Sequence, residues 1–303
     1  MPDAADSADT AEAAPPPPVL LLHGLAGHLG EWDDLTARLL ADGHRVVRHD
    51  ARGHGASTRT PADMTRAAAV RDTVSLMDAL TLPPAILLGQ SLGGLTALLT
   101  AAAHPSRVAS LILVEAGPQG RDPELPAQIG AWLDNWPTPF TSFGQASAFL
   151  GHEAWARGLD WREDGTGHAR VDRDTMVAAV AELVTEDYWD QWSRVTCPTL
   201  VVRGERGTMP ASEHTEMRTR RPSGTSLTVP PGRRPRRPPG PPGRPPRDGD
   251  GLPGQRPRIG RPQALTSDGG LYACFAAVSL GILRYSWMDG LFLLQCATCH
   301  PLD

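Results

Sequence analysis

Five short runs constrain this chain more than any other feature: Val19-Leu20-Leu21-Leu22, Arg45-Val46-Val47-Arg48-His49, Ala85-Ile86-Leu87-Leu88, Leu111-Ile112-Leu113-Val114 and Thr199-Leu200-Val201-Val202. Four of them are nearly continuous in apolar residues and too short for a packed helix, so they read as strands covered on both faces. Helical periodicity fills the gaps between them. A helix from about Trp32 would place Trp32, Leu35, Leu39 and Leu40 on one face, and one over 65–82 would do the same with Val70, Val74, Met77 and Leu80. An Ala/Leu-rich helix follows Gly93 and ends near His104-Pro105. Strands alternating with helices predict an α/β fold, a doubly wound and mostly parallel sheet with helices on both faces.

A long insert, residues 118–195, separates the fourth run from the fifth and holds six of the eight tryptophans: Trp132, Trp136, Trp155, Trp161, Trp189 and Trp192. Two readings are compatible here. The indoles anchor a helical subdomain, and some of them line a pocket over the sheet edge as a cap. A last strand begins at Leu227-Thr228-Val229. The main domain is therefore expected over 19–229, preceded by a disordered acidic segment, 1–18, that ends in Pro15-Pro16-Pro17-Pro18.

Composition narrows the partners. Residues 1–221 carry 19 Arg against 29 Asp and Glu, and an acidic body argues against nucleic acid. No apolar leader opens the chain and no run is long enough to span a bilayer, so a cytoplasmic location without membrane contact is the expectation. Of the four cysteines, Cys274, Cys296 and Cys299 cluster far from Cys197, which implies no disulfide framework. Every basic residue is arginine and Asn135 is the one asparagine, the mark of GC-rich coding.

The chemistry centres on Gly89-Gln90-Ser91-Leu92-Gly93, set between the strand Ile86-Leu87-Leu88 and the helix former Leu95-Thr96-Ala97-Leu98-Leu99. A serine hydroxyl is a poor nucleophile at neutral pH and must stand clear of the backbone, next to a base. A strained strand-to-helix turn with small residues two positions either side does this. Two further motifs occur in order, His23-Gly24 after the first strand and Asp50-Ala51-Arg52-Gly53-His54-Gly55-Ala56-Ser57 after the second.

Together these resemble the α/β-hydrolase fold family, over about residues 19–229. The resemblance implies that Ser91 is the nucleophile of a serine hydrolase acting on an ester-like or related small-molecule carbonyl substrate. It also implies that Leu25 and Leu92 amides form the oxyanion hole, with Gly89 and Gly93 shaping the turn and His23 and Gly24 shaping the loop beside it. No metal or cofactor is implied. The family also hosts cofactor-free haloperoxidases and carbon–carbon bond hydrolases, so the substrate does not follow from the fold.

Two members of the expected triad depart from the common pattern. Where the family often writes Gly-x-x-Asp, this chain has Gly204-Glu205-Arg206-Gly207. Some members place the acid after the preceding strand, about two dozen residues beyond the nucleophile, and Glu115 fits that place. Glu115 is the first choice of acid and Glu205 the second.

The histidine base is not identifiable. None occurs between His214 and His300, and residues 230–262 are almost wholly Pro, Arg and Gly, which form neither core nor helix. Two accounts stand for 230–303. One is a basic, extended tail for acidic or proline-recognising partners. The other is a shifted reading frame, since freely chosen codons from Gly232 onward, read one base later, spell Gly-Ala-Gly-His-Asp-Val-His-Leu-Asp-Arg-Pro, a phrase this family commonly carries there. The coding nucleotides across the stretch separate the two. On the second account the Cys296-Ala297-Thr298-Cys299-His300 haem-like motif is chance, and the protein is either a damaged enzyme or a non-catalytic small-molecule binder.

Overall fold

The computed structural model describes residues 15–205, 207–221 and 223–229. Six strands form one sheet: β1 (Val19–Leu22), β2 (Val46–Arg48), β3 (Ala85–Gln90), β4 (Val108–Val114), β7 (Thr199–Val202) and β8 (Thr225–Thr228). Their spatial order is β2-β1-β3-β4-β7-β8 and every pairing is parallel. The order reverses direction between β1 and β3, and the crevice at such a switch point, outside the carboxyl ends of the strands, is where α/β sheets place ligands. Register brings the strand ends level there: Leu22 lies opposite Gly89, Gln90 opposite Val114, and Val114 opposite Val202.

The apolar runs become the sheet core for the expected reason. Leu20, Leu87, Leu111 and Val201 are fully buried on one face, against α2 (Arg66–Ala79) and α3 (Leu92–Ala103). Val19, Leu21, Ile86, Leu88 and Ile112 are buried on the other, where α1 (Asp33–Ala41) supplies Leu39 with partial cover from Leu35. Each such side chain contributes roughly 1.5–3 kcal/mol relative to exposure. β4 begins at Val108 and β8 at Thr225, earlier than the apolar pattern alone implies, because buried Ser110 and Thr225 continue the ladders without an apolar signature.

Two helix stripes need correction. Leu40 is 56% exposed and Leu80, the residue that caps α2, is 36% exposed. On α1 the buried line runs through Leu39, and the next residue is turned about 100° away from it. On α2 it runs through Val70, Thr73 and Met77, with Val74 only half-buried.

The insert folds as a cap. It comprises α4 (Leu125–Asp134), α5 (Phe143–Leu150), α6 (Glu153–Arg157), a small antiparallel pair, β5 (Asp160–Trp161) with β6 (Gly167–His168), and α7 (Arg173–Ala179). Trp136, Phe140, Ala146 and Leu150 form its core, with the Trp132 and Trp136 rings 5.3 Å apart and nearly perpendicular. Trp189 and Trp192 belong elsewhere. They lie on α8 (Trp189–Arg194), which returns to the main sheet, and fully buried Trp192 donates its indole N–H to the Met217 carbonyl at 2.9 Å. The remaining helix, α9 (Ala211–Arg220), carries that carbonyl.

No helix among the described residues is long and apolar enough to cross a membrane. The expectations for residues 1–14 and 230–303, including the basic tail and its Cys-x-x-Cys-His motif, lie outside the described residues.

Candidate active site

Ser91 follows β3 with φ 49° and ψ −120°, a left-handed conformation that costs a non-glycine residue on the order of 1–3 kcal/mol. The turn is held from both sides: the Ser91 N–H donates to the Val114 carbonyl at 2.9 Å and its carbonyl accepts from the Leu95 N–H at 3.0 Å. The flanking glycines are needed for space. A Cβ at Gly89 would strike the Gly93 backbone, and one at Gly93 would strike the Leu22 and His23 carbonyls. Leu92 opens α3, where first-turn amides have no acceptor inside the helix.

The loop after β1 is buckled to the loop after β2 by two histidines. His23 donates from Nδ1 to the Gly24 carbonyl at 2.8 Å and accepts the Ala51 N–H on Nε2 at 2.9 Å. His54 reciprocates, donating to the Arg52 carbonyl at 2.8 Å and accepting the Ala26 N–H at 3.0 Å. Their rings meet edge to face, 4.9 Å between centroids. Burial holds His23 well below the ordinary histidine range and pushes His54 down to about 4. With both nitrogens of each ring engaged, neither histidine is free to serve as a base, and His54 supports the residue immediately after Leu25. Asp50 completes the frame by accepting from the Leu29 and Ala56 amides, both at 2.8 Å, and Arg52 pairs bidentately with Asp72 at 2.6 and 2.7 Å.

Glu115 stands at the end of β4, also at φ 49°. Its carboxylate accepts the Gly204 amide in a short hydrogen bond and the Met209 amide at 2.9 Å, with the Thr208 hydroxyl at 3.4 Å. A Cβ at Gly207 would fall on this carboxylate. The glycine at the family's usual acid position and the glutamate one strand earlier are therefore complementary, since they compete for one volume.

Ser91, Glu115, Leu25 and Leu92 line a single cavity of about 340 Å³, together with cap residues Ile129 and Trp132. Glu205, the second choice of acid, is exposed and does not line it. The sequence reading fails there because the turn after β7 points that side chain outward. His23 and Gly24 border a separate, smaller cavity behind the turn. No histidine of the described residues lines the Ser91 cavity. His28 donates to the Ala154 carbonyl at 2.8 Å, and the His214 ring faces the Val201 carbonyl.

Sequence reasoning missed Glu213. It is 6% exposed, lines the Ser91 cavity and accepts the Gln119 amide at 2.8 Å. Burial, and then the nearby Glu115 charge, raise its pKa, while the Gln119 N–H opposes them. Nothing in the polar stretch Ala211–Arg220 distinguishes this glutamate from its exposed neighbours. Among the described residues no group of three or more His, Cys, Asp or Glu is arranged to hold a metal ion.

Residues 17–156 match the family model for the alpha/beta hydrolase fold. A non-heme chloroperoxidase of Streptomyces lividans is 31% identical over 212 residues, covering 62% of this chain and 73% of that protein. The sn-1-specific diacylglycerol lipase ABHD11 of Mus musculus is 37% identical over 118 residues, 39% of this chain and 38% of the lipase. The chain thus spans under two-fifths of the length of the first curated relatives it matches, at 37% and 38%. The crystal structure of E-2-(acetamidomethylene)succinate hydrolase superposes with a TM-score of 0.64 at 24% identity, over 71% of this chain and 83% of that one. At that identity the likeness bears on the fold alone.

Proposed function

Because this chain belongs to the α/β hydrolase family, we propose that its cavity is the acyl-transfer site of a serine hydrolase for ester-like or related carbonyl compounds. The observation that carries the reading is the strained Ser91 turn at the sheet's switch point, sharing one cavity with the buried carboxylate of Glu115. In this reaction Ser91 Oγ attacks the substrate carbonyl while its proton passes to a base, and the Leu25 and Leu92 amides take the oxyanion. Collapse of the tetrahedral intermediate expels the alcohol with a proton, and water then releases the acyl group by the same route. Glu115 is the acid that would orient an imidazole base.

That base is the member this chain does not supply from its described residues. A second reading rests on the same observation: the cavity binds small molecules without turning them over. Removing a triad histidine leaves only about 10³-fold acceleration from the oxyanion hole and binding. A fluorophosphonate probe tests both. Brisk labelling that disappears in Ser91→Ala supports the hydrolase. Labelling equally slow in both proteins supports the binder, and labelling at another residue removes Ser91 from the proposal.

A further inference from the structure

The cavity at Ser91 is electrostatically one-sided. Its ionisable lining residues are Glu115, Asp122 and Glu213, and no arginine or histidine among the described residues joins them. The three carboxyl groups are not equivalent. Glu115 already accepts an amide of the loop after β7 on each of its oxygens. Asp122 is exposed. Glu213 is buried in the first turn of α9, with Oε1 fixed by the Gln119 amide and seated against Gly117, where any Cβ would collide with it. Its Oε2 accepts no hydrogen bond among the described residues, and the residue lines the cavity. A carboxyl group with one oxygen pinned and the other unspent, in a cavity whose described lining holds no compensating cation, is suited to receive a cation. Trp132 adds an aromatic surface to the same lining, which also favours positive charge.

We propose that Glu213 makes this pocket selective for substrates and ligands that carry a protonated amine, and unfavourable to those carrying a carboxylate. This deepens the acyl-pocket reading above and depends on it for location, though not for chemistry. A bound ammonium group pairs with ionised Glu213, so binding draws the proton from a carboxyl that burial otherwise holds protonated at higher pH than usual. The charge acting on Glu213 is that of Glu115, at the end of β4, and it raises the Glu213 pKa further; Asp122, in the loop before α4, is exposed at the same cavity. Affinity for the amine therefore rises with pH through the Glu213 titration, until the amine itself loses its proton.

Three probes of matched length, hexylammonium, hexanol and hexanoate, separate these effects by calorimetry on the full chain at constant ionic strength. Hexylammonium is expected to bind at least about tenfold more tightly than hexanoate, with affinity rising with pH through a Glu213 titration that burial moves above the ordinary carboxylate range. Glu213→Gln keeps the acceptor for Gln119, and it should erase the preference while leaving hexanol binding and the melting temperature unchanged. Equal affinity for the charged probes, a preference for hexanoate, or a preference that survives Glu213→Gln overturns the proposal. So does failure of all three to bind. Because binding is read without turnover, absent fluorophosphonate labelling alongside an intact amine preference would sink the hydrolase reading and leave this one standing.

Discussion

Ser91 and Glu115 stand at the carboxyl ends of adjacent strands, and both have φ 49°, yet the protein holds them by different means. The Ser91 turn is enforced by close backbone contacts. Gly89 lets the strand touch the start of α3, and Gly93 lets that helix touch the Leu22 and His23 carbonyls. Glu115 is held by amides 89 and 94 residues further along the chain, at Gly204 and Met209, after the whole cap has intervened. A strained turn fixed by close backbone contact is rigid and tolerates little. One fixed by a carboxylate reaching a distant loop can be unseated and, in principle, relocated.

The sharpest way to break this contrast is at the glycines. Gly93→Ala drives a Cβ into the Leu22 and His23 carbonyls, which have nowhere to go. It is expected to cost about 3 kcal/mol or more, read as a shift in denaturant midpoint at constant slope. Glu115→Ala should cost somewhat less, about 2–3 kcal/mol, by leaving two buried amide donors without acceptors.

Relocation is the third test. Gly207→Asp alone puts a second carboxylate into the volume that Glu115 fills, and should lower the melting temperature. Combined with Glu115→Ala it should recover most of that loss, and a double variant no better than the sum of its parts would refute the shared-volume argument.

A final test concerns the loop buckle. The folded His54 pKa, near 4, lies below its ordinary value of 6.5, so the unfolded chain binds more protons between those values. Stability should thus rise with pH across that window, by up to about 1.4 kcal/mol per unit, and level off above it. Burial of the ring is the main cause, and a protonated Nε2 could no longer accept the Ala26 amide. A His54→Gln variant with an unchanged slope in that window would show that the acid sensitivity arises elsewhere.

Much of the fold was legible because it is written in periodicity. Val19–Leu22, Ala85–Leu88, Leu111–Val114 and Thr199–Val202 each declare a strand buried on both faces, and each is one. The errors fall where periodicity is weakest. Leu40 and Leu80 sit at helix ends, where an apolar residue can leave the buried stripe at little cost. Trp189 and Trp192 looked like part of the insert because they precede the fifth strand, but α8 already packs on the main core.

By itself the sequence determined the parallel sheet, the Ser91 turn and the gap in histidines between His214 and His300. These depend on residue order, on turn sterics or on plain inventory, all of which are local. Tertiary structure alone decided that Glu115 rather than Glu205 faces the cavity, that Gly207 makes room for it, that His23 and His54 brace each other's loops, and that Glu213 is buried beside Ser91. Each of these requires side chains remote in sequence to converge at one sheet edge. The strand order β1-β3-β4-β7 brings them there, and no window of the sequence contains that order.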